Sequence, residues 1–152
     1  MQKTRYNPEK GGVMLIEVSN NEYKVLSAIW AAGRPLTAAE IVERLQDDKA
    51  FRDRTIHSIL TVMLDKGVIY VDGQKRSTRT YSRCFNTRLG FEEYHSAQIM
   101  QNVTYRKNKG NILTGIFSAL IDDADIQPDT LAELENLIEE KKRSLEHEAD
   151  DI

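Results

Sequence analysis

Three short apolar stripes of helical period lie within about 50 residues, the period switches to two after Gly67, and a basic turn joins two strand-like runs. Together these predict a mainly α chain with a minor β part: a winged helix-turn-helix followed by a C-terminal helical dimerisation region. The expected division is a flexible N-terminal arm over 1–17, a winged-helix domain over 18–88, a helical dimerisation region over 89–148 and a tail over 149–152.

Each element has a local reason. The arm contains Pro8, Gly11, Gly12 and scattered bases, with a short strand expected at Val13 to Ile16. Ser19-Asn20-Asn21-Glu22 is a capping box, and Val25, Leu26, Ile29 and Trp30 follow at helical spacing until Gly33 and Pro35 stop the helix. Thr37-Ala38-Ala39-Glu40 is a second capping box. Ala38, Ile41, Val42 and Leu45 form the buried stripe of a helix ending near Asp47. The third helix, DRTIHSILTVMLDKG over 53–67, is capped by Asp53 or Asp48 and ends at Gly67. Its Ile56, Ile59, Leu60, Met63 and Leu64 recur at i, i+3, i+4, i+7 and i+8.

Val68-Ile69-Tyr70-Val71 then reads as a strand, Asp72-Gly73 as the opening of a turn, and Thr80 to Phe85 as the return strand. The tip, Gln74 to Arg79, holds three bases and no acid. The lone Cys84 excludes an internal disulfide and a cysteine-rich metal site, and is expected half-buried in the strand. Helical periods return over Gly90 to Val103, over a stripe from Ile112 to Ile121, and over a last helix begun by Pro128 and Asp129.

Charge is divided along the chain. Residues 1–121 carry 18 Lys and Arg against 12 Asp and Glu, whereas residues 122–152 carry 3 against 12. The net −3 thus hides a positive body and an acidic end, which suggests different partners for the two. No apolar run approaches the ~20 residues that span a bilayer, and Val13-Met14-Leu15-Ile16 is too short for a signal peptide's apolar part. A soluble cytoplasmic protein without membrane partners is the expectation.

The candidate site is the second face of the third helix. Arg54, Thr55, His57, Ser58 and Thr61 lie there, and the face meets an acid only at Asp65. In a helix-turn-helix this helix enters the major groove, where Arg pairs with guanine and Ser or Thr can donate, accept or touch a thymine methyl. Lys75, Arg76 and Arg79 would reach phosphates or the neighbouring minor groove, with Arg83 and Arg88 extending the strip. Double-stranded DNA is the partner this implies. The alternative is a winged-helix protein-interaction adaptor that does not read DNA sequence.

Catalysis has little support. His57, His95 and His147 fall in three different elements, and no HExxH, GxSxG, P-loop or GxGxxG motif occurs. Asp122, Asp123 and Asp125 lack the ligand series of a Ca²⁺ loop. The expectation is a non-enzyme without cofactor or metal.

A single winged helix binds weakly, and two copies about 34 Å apart on one DNA face solve that problem. Ile112, Ile116, Phe117 and Leu120, then Leu131, Leu134, Ile138 and Leu145, make stripes too wide for a thin helical tail to bury alone. They are the candidate homodimer contacts; the alternative folds them back on the winged helix of their own chain.

Several of these pieces match a known family. Glu22-Tyr23-Lys24-Val25-Leu26-Ser27-Ala28-Ile29-Trp30, Thr37-Ala38-Ala39-Glu40-Ile41-Val42, Asp53 to Thr61, Asp65-Lys66-Gly67-Val68-Ile69 and the wing ending in Tyr81 resemble the penicillinase-repressor (BlaI/MecI-like) family of bacterial winged-helix transcriptional regulators. The resemblance covers residues 18–86 well and extends more loosely to about 145. It implies a homodimeric repressor on a dyad-symmetric operator, held together by its C-terminal helices. It also implies release by proteolysis under a membrane sensor of β-lactams, which makes a sensor protease a further partner. The chain departs from the family at three places. Val62 stands where the family often carries Arg. No Asn-Phe cleavage pair occurs where Ala119-Leu120 falls. No C-terminal Cys of the copper-responsive branch is present. The longer arm brings Lys3, Arg5 and Lys10, candidates for added contacts to DNA or to the partner chain.

Overall fold

The computed structural model describes residues 17–49, 51, 53–104, 109–123 and 125–151. Among them the order is α1 (Asn20–Ala32), β1 (Leu36–Thr37), α2 (Ala38–Arg44), α3 (Asp53–Lys66), β2 (Ile69–Arg76), β3 (Tyr81–Thr87), α4 (Phe91–Thr104), α5 (Lys109–Asp123) and α6 (Pro128–Asp150). This is a mainly α winged helix with a three-stranded antiparallel sheet in the order β1-β3-β2. The chain divides into two compact units, Met1–Tyr105 and Arg106–Ile152. The arm bases Lys3, Arg5 and Lys10 and the expected strand at Val13 to Ile16 lie outside the described residues.

Both capping boxes form. Ser19 Oγ accepts from the Glu22 amide at 3.2 Å while the Glu22 carboxylate accepts from the Ser19 amide at 3.2 Å. Thr37 Oγ1 accepts from the Glu40 amide at 3.2 Å, and Glu40 takes the Thr37 amide at 2.9 Å. With their first turns satisfied, α1 and α2 lay Val25, Leu26, Ile29 and Ile41 into a core completed by Ile56, Leu60 and Met63 of α3 and by Leu36, Ile69 and Phe85 of the sheet. Full burial of such a side chain is worth about 1.5–3 kcal/mol.

Two short elements differ from expectation. α2 stops at Arg44, with Leu45 as its C-cap, rather than near Asp47. The chain then turns through Asp48 N–H to Leu45 O and Phe51 N–H to Asp48 O, which carries Phe51 into the core. A longer helix would hold Phe51 outside it. β1 was not expected: it is two residues long, and its pairing of Leu36 with Phe85 and Thr37 with Cys84 comes from the distant β3.

The hairpin is longer than expected. Asp72-Gly73 is not its turn: β2 continues to Arg76, and the chain reverses at Ser77–Thr80, where the Ser77 amide donates to Thr80 O at 2.7 Å. Val71 stands opposite Phe85 and Gln74 opposite Arg83, so β2 holds one extra residue there. That bulge is built on Gly73 at φ 82, a conformation that costs a glycine little. Beside it, Asn86 Nδ2 donates to Asp72 Oδ2 at 3.1 Å. Cys84 is half-buried in β3, as expected.

α4 docks on α1 through aromatic rings. Trp30 Nε1 donates to Leu89 O at 3.0 Å, and the Trp30 ring meets Phe91 edge-on at 5.6 Å. Tyr23 and His95 join through a hydroxyl–Nε2 bond of 2.8 Å. His95 Nδ1 faces the Phe91 carbonyl at 2.6 Å and so carries the proton, leaving Nε2 to accept from Tyr23 in the neutral ring.

In the second unit, Pro128 occupies the first turn of α6, as expected. No described residue of α6 is buried, although the helix runs for 23 residues, about 34 Å at 1.5 Å per residue. Among the described residues no helix is long and apolar enough to cross a membrane.

Candidate nucleic-acid interface

α3 is fixed at its C-terminal end before it presents anything. At its C-terminus the Val68 amide donates to Met63 O at 3.1 Å and the Gly67 amide to Leu64 O at 3.1 Å. This is a Schellman stop, with Gly67 at φ 75 and its two flanking apolar residues buried. Lys66 Nζ donates to both carboxylate oxygens of Glu22, at 2.9 and 2.7 Å, and to Glu17 O at 2.9 Å. Glu22 is only 6% exposed, so this ion pair ties the start of α1 to the end of α3 inside the domain.

With Ile56, Leu60 and Met63 buried, helical geometry turns Thr55, His57, Ser58 and Thr61 outward, and all four are exposed. Thr61 Oγ1 donates to His57 O at 2.8 Å, which spends its proton and leaves its lone pairs and methyl available. Arg54 lies in the first turn of α3; its side chain is outside the described residues. Val62 is exposed as well, an apolar residue on an otherwise polar surface.

The bulge decides which hairpin bases face α3. Directly paired residues share a sheet face, and successive residues alternate. Phe85 points into the core, so Arg83, its partner Gln74, and the pair Arg76–Tyr81 lie on that same side. The Arg83 guanidinium stands over the Phe85 ring at 5.5 Å. Arg83 and His57 line one open groove of about 450 Å³ with Ala38, Ala39 and Val42. The structure thus brings the outer face of α3 next to β3. Arg76 and Arg79 are exposed and have no acidic partner among the described residues. Arg88, at the foot of the sheet, stands over the Tyr70 ring at 5.3 Å.

Lys75 is placed differently. It pairs with Ser82 on the reverse side of the hairpin, and its Nζ lies 2.6 Å from Glu40 Oε1. Glu40 also takes Arg34 Nη2 at 3.1 Å and Nη1 at 3.4 Å, besides the Thr37 amide. The Lys75 ammonium, then the Thr37 N–H and Arg34, hold the Glu40 carboxyl at a pKa of about 2. In the sequence Glu40 reads only as a capping residue, and nothing singles out Arg34. Lys75 lies 35 positions beyond Glu40, and only the sheet pairing carries it there.

The candidate dimer residues sit in the second unit. Ile112, Ile116 and Leu134 are half-buried, and Phe117, Leu120, Leu131, Ile138 and Leu145 are exposed.

Comparison with known proteins agrees with this architecture. Residues 18–140 match the penicillinase repressor family. The methicillin resistance regulatory proteins MecI of Staphylococcus aureus (strain N315) and of Staphylococcus epidermidis are each 24% identical over 132 residues, covering 82% of this chain and 95% of theirs. The MecI protein of Mammaliicoccus sciuri is 23% identical over the same share. A family match spanning both units, over an observed winged helix, settles the assignment: the chain belongs to the penicillinase repressor family of transcriptional regulators.

Proposed function

We propose that the protein is a homodimeric repressor that binds a dyad-symmetric operator in double-stranded DNA by sequence. The observation that carries this reading is the exposed face of α3, made of Thr55, His57, Ser58 and Thr61 beside a basic hairpin. The Thr55 and Ser58 hydroxyls and the His57 imidazole can donate to and accept from base edges in the major groove, Thr61 can accept, and the threonine methyls can touch thymine. Arg54, in the first turn, joins them where a recognition helix meets the bases. Arg76 and Arg79 supply contacts to the phosphate backbone; Lys75, expected with them, is bonded to Glu40.

Dimerisation follows from unburied apolar area. A helix of 23 residues with no residue buried by its own chain gains little from packing, and propensity alone leaves such a helix marginal in water. Leu131, Leu134, Ile138 and Leu145, with Ile112, Ile116, Phe117 and Leu120, would be covered by a second copy, and two winged helices would then meet successive half-sites on one DNA face.

The test is binding by fluorescence anisotropy to operator-enriched and random-sequence duplexes across a salt series. Ser58→Ala or His57→Ala should lower the preference for the enriched site. Arg76→Ala should weaken binding to every sequence and reduce the salt slope by about 0.9. A protein that binds no duplex with a salt-dependent slope is an interaction adaptor instead.

A further inference from the structure

The ion cluster at Glu40 has a consequence for the interface. One carboxylate, 17% exposed, receives the Thr37 amide and holds two cations whose side chains are 50% and 59% exposed, Arg34 and Lys75. Lys75 is the neighbour in sequence of Arg76, yet the hairpin's alternation puts it on the other side and reaches it across β3 to the start of α2. The three side chains thus form a closed set, whereas Arg76 and Arg79 have no acidic partner among the described residues.

We propose that Glu40 acts as a built-in counter-ion that withholds Lys75 and Arg34 from DNA, so that the hairpin's phosphate contacts are made by Arg76 and Arg79. This rests on the DNA-binding reading above and deepens it by naming a positioning residue. A phosphate approaching Lys75 competes with a carboxylate already bonded to Lys75, Arg34 and the Thr37 amide. While Lys75 stays on Glu40 it neutralises no phosphate and releases no counter-ion from the DNA, so it adds nothing to the salt dependence. Adjacent Arg76 has no such competitor among the described residues and contributes fully.

The test is the salt slope of binding to random-sequence duplex for the full-length wild type and its variants. Glu40→Gln removes the charge and keeps the cap, because Gln also completes a capping box. It should tighten binding at low salt and steepen the slope by about 0.9 for one freed cation, or about 1.8 for two. Lys75→Met alone should leave the wild-type slope unchanged, while Lys75→Met in the Glu40→Gln background should take back about 0.9. Arg34→Met checks the second cation in the same way. A slope unchanged by Glu40→Gln, or a wild-type slope made shallower by Lys75→Met, overturns the proposal while leaving the repressor reading intact. A wild type with no salt-dependent binding removes both. A merely structural role for Glu40 would lower the melting temperature without moving the slope, and that result also counts against the proposal.

Discussion

Removing the Lys66 ammonium tests how α3 is held. In Lys66→Met the stem is kept and the charge is lost, so the Glu22 carboxylate, 6% exposed, keeps only the Ser19 amide as a donor among the contacts described. Breaking a buried ion pair from one side costs about 3–5 kcal/mol, because the remaining charge is left in a poorly solvated place. Lys66 is itself 30% exposed, so water can reach the vacated position and the expected loss falls to about 2–3 kcal/mol. The assay is urea unfolding at fixed protein concentration, followed by the fluorescence of Trp30. That residue is the chain's only tryptophan and packs on α4 within the winged-helix unit. Glu22→Gln should restore part of the loss in the Lys66→Met background, because no charge is then stranded. A loss below about 0.5 kcal/mol, the range of an ordinary surface substitution, would refute the claim that this pair anchors α3. Strict additivity of the two changes would refute it equally.

Acid should act through Glu40. Its carboxyl titrates near 2 in the folded chain against 4.5 for the free side chain, so it stabilises the fold above pH 4.5 and loses that contribution as pH falls from 4.5 through 2. Because both cations are about half exposed, the contribution is about 1 kcal/mol at neutral pH. The stability difference between wild type and Glu40→Gln should therefore shrink between pH 5 and pH 2.5, and a difference that is constant over that range contradicts the assignment. Leu134→Asp with Ile138→Asp places charge in the expected seam of α6. Light scattering should then report the monomer mass, with the Trp30 unfolding curve unchanged; a retained dimer mass removes α6 from the interface.

Much of the fold is legible in the residues because its local signals agree with its packing. Two capping boxes, Gly33 and Gly67 as stops, and three apolar stripes specify α1 to α3 within a residue or two, except at the end of α2. What the residues hide is set by distant partners. Leu36-Thr37 is a strand only because β3 runs beside it, and Phe51 belongs to the core only because α2 stops early. Asp72-Gly73 misleads for a different reason: a glycine at positive φ serves a two-residue turn and a bulge equally well, and the choice depends on where β3 begins. For the candidate site, the outward face of α3 follows from periodicity alone. The separation of Lys75 from Arg76 does not, since it requires the bulge and a carboxylate 35 positions away.

That single inserted residue acts as a sorting device. Lys75 and Arg76 are adjacent in the chain and of like charge, and any profile of basic content would count them together. The half-step at Gly73 sets Lys75 on the reverse side, where it meets Glu40, and Arg76 on the side of Phe85. Unbroken alternation from Val71 would put Lys75 on the side of Phe85 and Arg76 on the reverse, with composition and net charge unaltered. A chain with the same bases and no half-step would therefore present the other of the two on that side, without differing in the number of its basic residues.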